Sequence, residues 1–181
     1  MTEIILVDRN DNVLGHQERG VDKDGEIHRV AGLWLTNSKD EILIAQRSFN
    51  KNDAPGEWGP AVGGTVERDE TYESNIVKET KEELGFGLED YRLGPKLLLG
   101  RPAGKRRMCQ IFMAECDRQA CDFQIQQDEV EAVRWITAEE LKKEVAENPA
   151  NFTSVMFYMT GQTGLLDYEI KEVSRQSDPD L

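Results

Sequence analysis

One stretch constrains this chain more than any other: Gly64 to Phe86, GTVERDETYESNIVKETKEELGF. On a helix of 3.6 residues per turn, Glu79, Glu82 and Glu83 fall within an arc of about 100°, so three carboxylates crowd one face. Like charges at that spacing repel, and a bound cation is the simplest compensation. Donors that are all oxygen suit a hard ion such as Mg²⁺ or Mn²⁺, which keeps several waters and also binds substrate phosphates. The opposite face carries Tyr72, Ile76, Thr80 and Leu84 at four-residue spacing, a stripe fit for burial. Gly85 follows as a left-handed helix stop.

Around this helix the pattern alternates strands and helices. Glu3 to Asp8 and Val13 to Glu18 read as an N-terminal hairpin around Asp8-Arg-Asn-Asp-Asn12. His28 to Thr36 and Glu41 to Arg47 form a second hairpin across Asn37 to Asp40, and Ser48 to Pro60 reads as loop. Strands are expected near Lys96 to Gly100, over Arg107 to Glu115 and over Val130 to Ile136. Thr137 with Glu140 makes a capping box for a helix ending before Asn148-Pro149. Phe152 to Met159 is a further helix, and Ser174 to Leu181 a polar tail.

At 181 residues the chain is long enough for one domain with terminal extensions. Its net charge of -13 argues against nucleic acid or a membrane surface as the main partner. No apolar run has membrane-spanning length, and the first residues lack both a basic start and a long apolar region. The expectation is a cytoplasmic protein. Cys109, Cys116 and Cys121 are odd in number and lack paired spacing, which fits reduced thiols better than disulfides or a zinc site.

The Gly64 to Phe86 run resembles the signature of the Nudix hydrolases, which reads Gly, five residues, Glu, seven residues, Arg-Glu-apolar-any-Glu-Glu-any-Gly-apolar. Gly64, Glu70, Glu79, Glu82, Glu83, Gly85 and Phe86 fall in register, while Lys78 replaces the arginine and Thr80 the apolar residue. The resemblance implies an α/β fold, a Nudix α/β/α sandwich with a mixed central sheet. Residues 26–172 would form that domain, with an N-terminal hairpin extension over 1–25 and a polar tail over 173–181. It also implies that Lys78 pairs with Glu70, as a point charge where arginine would be bidentate. A further family glutamate stands six residues before a Trp, and Glu129 stands six before Trp135.

The implied activity is metal-dependent hydrolysis of a phosphoanhydride bond in a small-molecule diphosphate. Glu79 and Glu83 are the leading metal ligands, Glu82 and Glu129 complete the set, and the backbone carbonyls of Gly63 or Gly64 lie in reach. The general base is Glu79 first and Glu82 second. Two basic groups offer an anion grip, Arg47 with Lys51, and Arg101, Lys105, Arg106 and Arg107. The second group reads equally as a solvated edge strand. Trp58 and Phe49 either stack a substrate ring or pin their loop to the core.

The layout His28-Arg-Val-Ala-Gly-Leu-Trp-Leu35, Arg47, Lys51 and Gly56-Glu-Trp58 is also similar to isopentenyl-diphosphate isomerase, a Nudix-fold enzyme. Arg47 and Lys51 match its diphosphate-binding pair. Its catalytic cysteine position is Gly63 here, the histidine two residues on is Thr65, and its acidic strand segment falls on the basic Lys105 to Met108. A hydrolase is therefore expected, with a non-catalytic ligand-binding module and a true isomerase as alternatives. The N-terminal hairpin leaves a homodimer open.

Overall fold

A computed structural model describes residues 2–21, 23–100, 105–165 and 169–173. Arg101 and the tail from Ser174 onward lie outside them.

The strands are β1 (Glu3–Val7), β2 (Val13–Glu18), β3 (Ile27–Thr36), β4 (Glu41–Arg47), β5 (Trp58–Pro60), β6 (Val62–Thr65), β7 (Arg92–Gly100), β8 (Arg106–Glu115), β9 (Val130–Thr137) and β10 (Glu169–Glu172). The helices are α1 (Tyr72–Leu84), α2 (Ala138–Glu147) and α3 (Ser154–Met159). Strand β3 is the spine. It pairs in parallel with β8 over its whole length, from Ile27 opposite Arg106 to Thr36 opposite Glu115. It also pairs antiparallel with β1, β4 and β6, so the sheet is mixed.

Side chains alternate across β3 with the two-residue period of a strand. Ala31, Leu33 and Leu35 enter one core with Tyr72, Ile76 and Leu84 of α1. Trp34 enters the other with Leu141 and Val145 of α2 and Val155, Met156 and Phe157 of α3. The sheet therefore lies between α1 on one face and α2 with α3 on the other, an α/β/α sandwich.

Helix α1 forms where its apolar stripe predicts. Thr71 caps it, accepting from the Ser74 amide at 3.1 Å while Ser74 Oγ accepts from the Thr71 amide at 2.9 Å. Gly85 ends it at φ 59°. Tyr72, Ile76, Thr80 and Leu84 are all buried, and the Thr80 hydroxyl donates to the Ile76 carbonyl at 2.6 Å. A hydroxyl satisfied inside its own helix replaces the apolar residue without loss of a partner. At α2, Thr137 and Glu140 form the expected reciprocal cap.

Two sequence expectations need correction. The loop read over Ser48 to Pro60 ends in strand β5, and β6 follows at once; both are too short and too rich in Gly and Pro to show a period. Strand β8 runs between β3 and β7, so its basic start is not an edge strand.

The N-terminal hairpin belongs to the same body. Ile4, Ile5 and Val7 are buried, and Leu6 and Val7 pair with His28 and Ile27. Its turn residue Asp11, at φ 70°, reaches into the α1 face. There it accepts from Arg29 at 2.7 Å, Tyr72 at 3.0 Å and Lys96 at 2.5 Å. Arg29 and Lys96 in turn lie over the Tyr72 ring at 5.1 and 5.0 Å.

Candidate active site

Three segments meet around Glu83: strand β6, helix α1 and the chain leading into β9. The Glu83 and Leu84 carbonyls at the end of α1 accept from the Gln126 and Gln124 amides, each at 3.0 Å. Helix-end carbonyls need such donors, and the segment that supplies them carries Glu129 to the site.

Glu83 is only 7% exposed. Burial raises its carboxyl to about 8, with the charges of Glu79 and Glu129 adding to the effect, while a hydrogen bond from the Gly63 amide and the charge of Arg47 oppose it. Glu79 is half-buried, and its carboxyl is also raised, first by burial, against the pull of Lys78 and with the repulsion of Glu82 and Glu70. Glu82, one step further round the helix, is exposed. Among the described residues no three His, Cys, Asp or Glu side chains close on one point as a ready cage. The carboxylates instead lean on their own cations.

Those cations are the ones the sequence singled out. Lys78 Nζ lies 2.6 Å from Glu70 Oε1 and 3.6 Å from Glu79 Oε1. Glu70 also accepts from the Glu67 amide at 3.0 Å and from Asn75 Nδ2 at 2.8 Å. Burial alone would raise Glu70, but these three donors hold it below the usual carboxylate range. Lys51 pairs with Glu129.

Arg47 donates from Nε and Nη2 to the Asp53 carbonyl at 3.1 and 3.0 Å, and Arg107 of β8 pairs with the Asp53 carboxylate. The two basic groups, far apart in sequence, thus converge on one loop. Lys105 is exposed just before β8. Trp58 packs against the second core, with the Arg134 guanidinium 4.6 Å over its ring. Phe49, in the loop before it, is 63% exposed.

Close packing explains the glycine at the head of the motif. A Cβ on Gly64 would meet Glu79 Cγ at 2.5 Å and Asn75 Oδ1 at 2.6 Å, whereas one on Gly63 would meet only the Ala31 carbonyl oxygen, at 4.0 Å. Sequence reasoning missed Asn75 and Asp53. Asn75 is fully buried and its Nδ2 reaches Thr65 O, Glu70 and Glu79, while its Oδ1 has no partner. Its one visible signal was its place next to Ile76 on the buried stripe.

A carboxylate helix packed on a glycine strand, faced by arginines and lysines, is a site suited to a hard cation and a phosphorylated ligand. Residues 26–156 match the NUDIX domain family, and the chain belongs to it. It is 33% identical over 153 residues to a prenyl-diphosphate phosphatase of Methanosarcina mazei, covering 83% of this chain and 88% of that protein. It is 27% identical over 160 residues to an isopentenyl-diphosphate Δ-isomerase of Klebsiella pneumoniae, covering 84% and 85%. In fold it is similar to the crystal structure of DR0079 from Deinococcus radiodurans, with TM-score 0.71 and 22% identity over 89% of this chain and 98% of that one.

Proposed function

We propose that this Nudix protein hydrolyses a diphosphate bond in a small organic diphosphate, with Mg²⁺ as cofactor and Mn²⁺ as its substitute. The observation that carries this reading is Glu83, a buried carboxylate set beside Glu79 and Glu129. A buried anion next to like charges is costly unless a cation joins it.

The residues fit such an ion. All side-chain donors are carboxylate oxygens, as a hard cation requires. Glu79 and Glu83 would hold it, with Glu82, Glu129 and the backbone of Gly63 and Gly64 alongside. When bound, the ion shields phosphate charge and acidifies water.

The chain's own groups supply the rest. Arg47, Lys51, Arg107 and the exposed Lys105 supply positive charge for the diphosphate oxygens, and guanidinium groups bind phosphate in a bidentate manner. Glu79 takes the proton of the attacking water as its oxygen bonds to phosphorus, with Glu82 the second choice for that role. Breaking the anhydride leaves two phosphorylated products, or one and free phosphate. The name of the Methanosarcina mazei relative makes prenyl diphosphates the first substrates to try, and Phe49 offers an apolar surface in the same loop as Lys51 and Asp53. Isomerase chemistry is disfavoured because Gly63 and Thr65 of β6 supply neither thiol nor imidazole.

The test is Mg²⁺-dependent phosphate or pyrophosphate release across prenyl diphosphates, nucleoside di- and triphosphates, nucleotide sugars and dinucleotides, with Glu83→Gln as control. Turnover lost in the control supports the hydrolase. Silence on the whole panel in folded protein would favour a ligand-binding module.

A further inference from the structure

Arg47 ends β4 and Arg107 lies near the start of β8, yet both hold the same residue. The backbone carbonyl of Asp53 takes two donors from Arg47, and its carboxylate takes Arg107. Two guanidiniums from separate elements thus converge on oxygens carried by one loop residue, the arrangement in which arginines bind a phosphoryl group. Lys51 of the same loop pairs with Glu129, which sets the loop beside the carboxylates.

The loop that carries Asp53 is anchored at its base. Ser48 donates to the Glu129 carbonyl at 2.9 Å, Gly56 to the Arg47 carbonyl at 3.1 Å, and Gln46 Nε2 to the Gly56 carbonyl at 3.0 Å. Its tip turns through Ala54, a residue with a side chain held at φ 50°. Left-handed backbone at such a residue carries a modest strain. The Asp53 side chain is 47% exposed, and an ion pair so open to water is worth little. Asp53 is therefore a weak occupant of a strong anion seat, on a tip that gains by relaxing.

Resting on the hydrolase reading above, we infer that Arg47 and Arg107 form the seat for a terminal phosphate and that Asp53 fills it until substrate displaces it. The exchange sets the substrate class. A terminal phosphate brings close to two charges and three equivalent oxygens, so it outcompetes the carboxylate that holds Arg107 and the neutral backbone carbonyl that holds Arg47. The phosphates of a diphosphate capped at both ends, as in dinucleotides and nucleotide sugars, carry one charge each and do not. The protein therefore selects organic diphosphates with a free terminal phosphate.

The experiment is calorimetric binding of methyl diphosphate and of P1,P2-dimethyl diphosphate to the full chain in EDTA, where turnover plays no part. Methyl diphosphate binds about tenfold more tightly, the worth of one further charge-assisted contact. Asp53→Ala and Asp53→Asn both bind it more tightly than the parent, and Arg107→Ala loses the preference between the two probes. Asp53→Asn keeps the loop's shape, so a folding defect in Asp53→Ala does not decide the outcome. Equal affinity for the two probes, no binding of either, or no gain in both Asp53 variants overturns the inference. If this binding pattern holds while the substrate panel stays silent, the hydrolase reading falls and the seat stands. Turnover without the binding pattern removes the seat and leaves the hydrolase in place.

Discussion

Gly64 and Glu79 pack so closely that a single methyl group between them would stand 2.5 Å from Glu79 Cγ. Strand β6 and helix α1 meet there, and the orientation of Glu79 depends on the contact. Gly64→Ala should destabilise the fold by about 1–3 kcal/mol, the usual cost of overpacking, and lower turnover by more than its folded fraction explains. Urea unfolding alongside a kcat measurement separates the two effects.

Glu83→Gln should fold normally, because burial already favours the neutral carboxyl at this position and glutamine is neutral and of the same shape. The Gly63 amide keeps an oxygen to donate to. The parent should show a melting temperature that climbs with Mg²⁺ concentration, and the variant should lose both that rise and turnover. An unchanged Mg²⁺ response would remove Glu83 from the ion's ligands.

The Glu70 carboxyl is held low by Lys78, the Glu67 amide and Asn75. A folded pKa below the unfolded one gives stability that is present above the unfolded value and is lost as pH falls through the folded one. The stability difference between the parent and Glu70→Gln should therefore be full at neutral pH and shrink below about pH 4. Chemical denaturation at pH 7, 5 and 3 tests the sign, and a difference that grows in acid would contradict it.

Asp11 is only 9% exposed and serves Arg29, Lys96 and Tyr72 at once. Asp11→Ala strips a carboxylate from two cations and should cost about 3 kcal/mol, as removal of one partner from a buried pair does. Asp11→Asn keeps the left-handed backbone and one acceptor, and should cost less. Urea midpoints of the two variants give the order.

The three thiols should react in order of access. Cys109 is buried, and burial raises its thiol to about 12, whereas Cys121 is exposed. The thiolate is the reactive form, so a thiol reagent at pH 8 should modify Cys121 in the native protein and reach Cys109 only after denaturation. Mass spectrometry of the labelled peptides reads this directly.

Helix α1 was legible because everything that makes it is local: the four-residue stripe, the stop at Gly85 and the crowding of Glu79, Glu82 and Glu83. Strands β1, β2 and β4 and helix α2 follow from alternation, turn residues and a capping box in the same way. Strands β5 and β6 did not, since a run of Gly and Pro takes its pairing from β4 and β3 rather than from its own side chains. The interior position of β8 is a fact of topology that a basic N-terminal end conceals. At the site, carboxylates and cations were visible as residue types, but their partnering was not. Asp53 looks like any loop acid until the fold brings residues 47 and 107 to it.

The family match begins at residue 26, but the clasp at Asp11 lies well before it. Arg29, Tyr72 and Lys96 all sit inside the matched region and are neutralised from outside it. A fragment trimmed to the family boundary would expose two unpaired cations beside the first turn of α1 and uncover the apolar surface under Ile5 and Val7. The span that the family model matches and the packed body are therefore different lengths of chain, and the helix that carries Glu79, Glu82 and Glu83 is held in part by a residue that precedes the matched span.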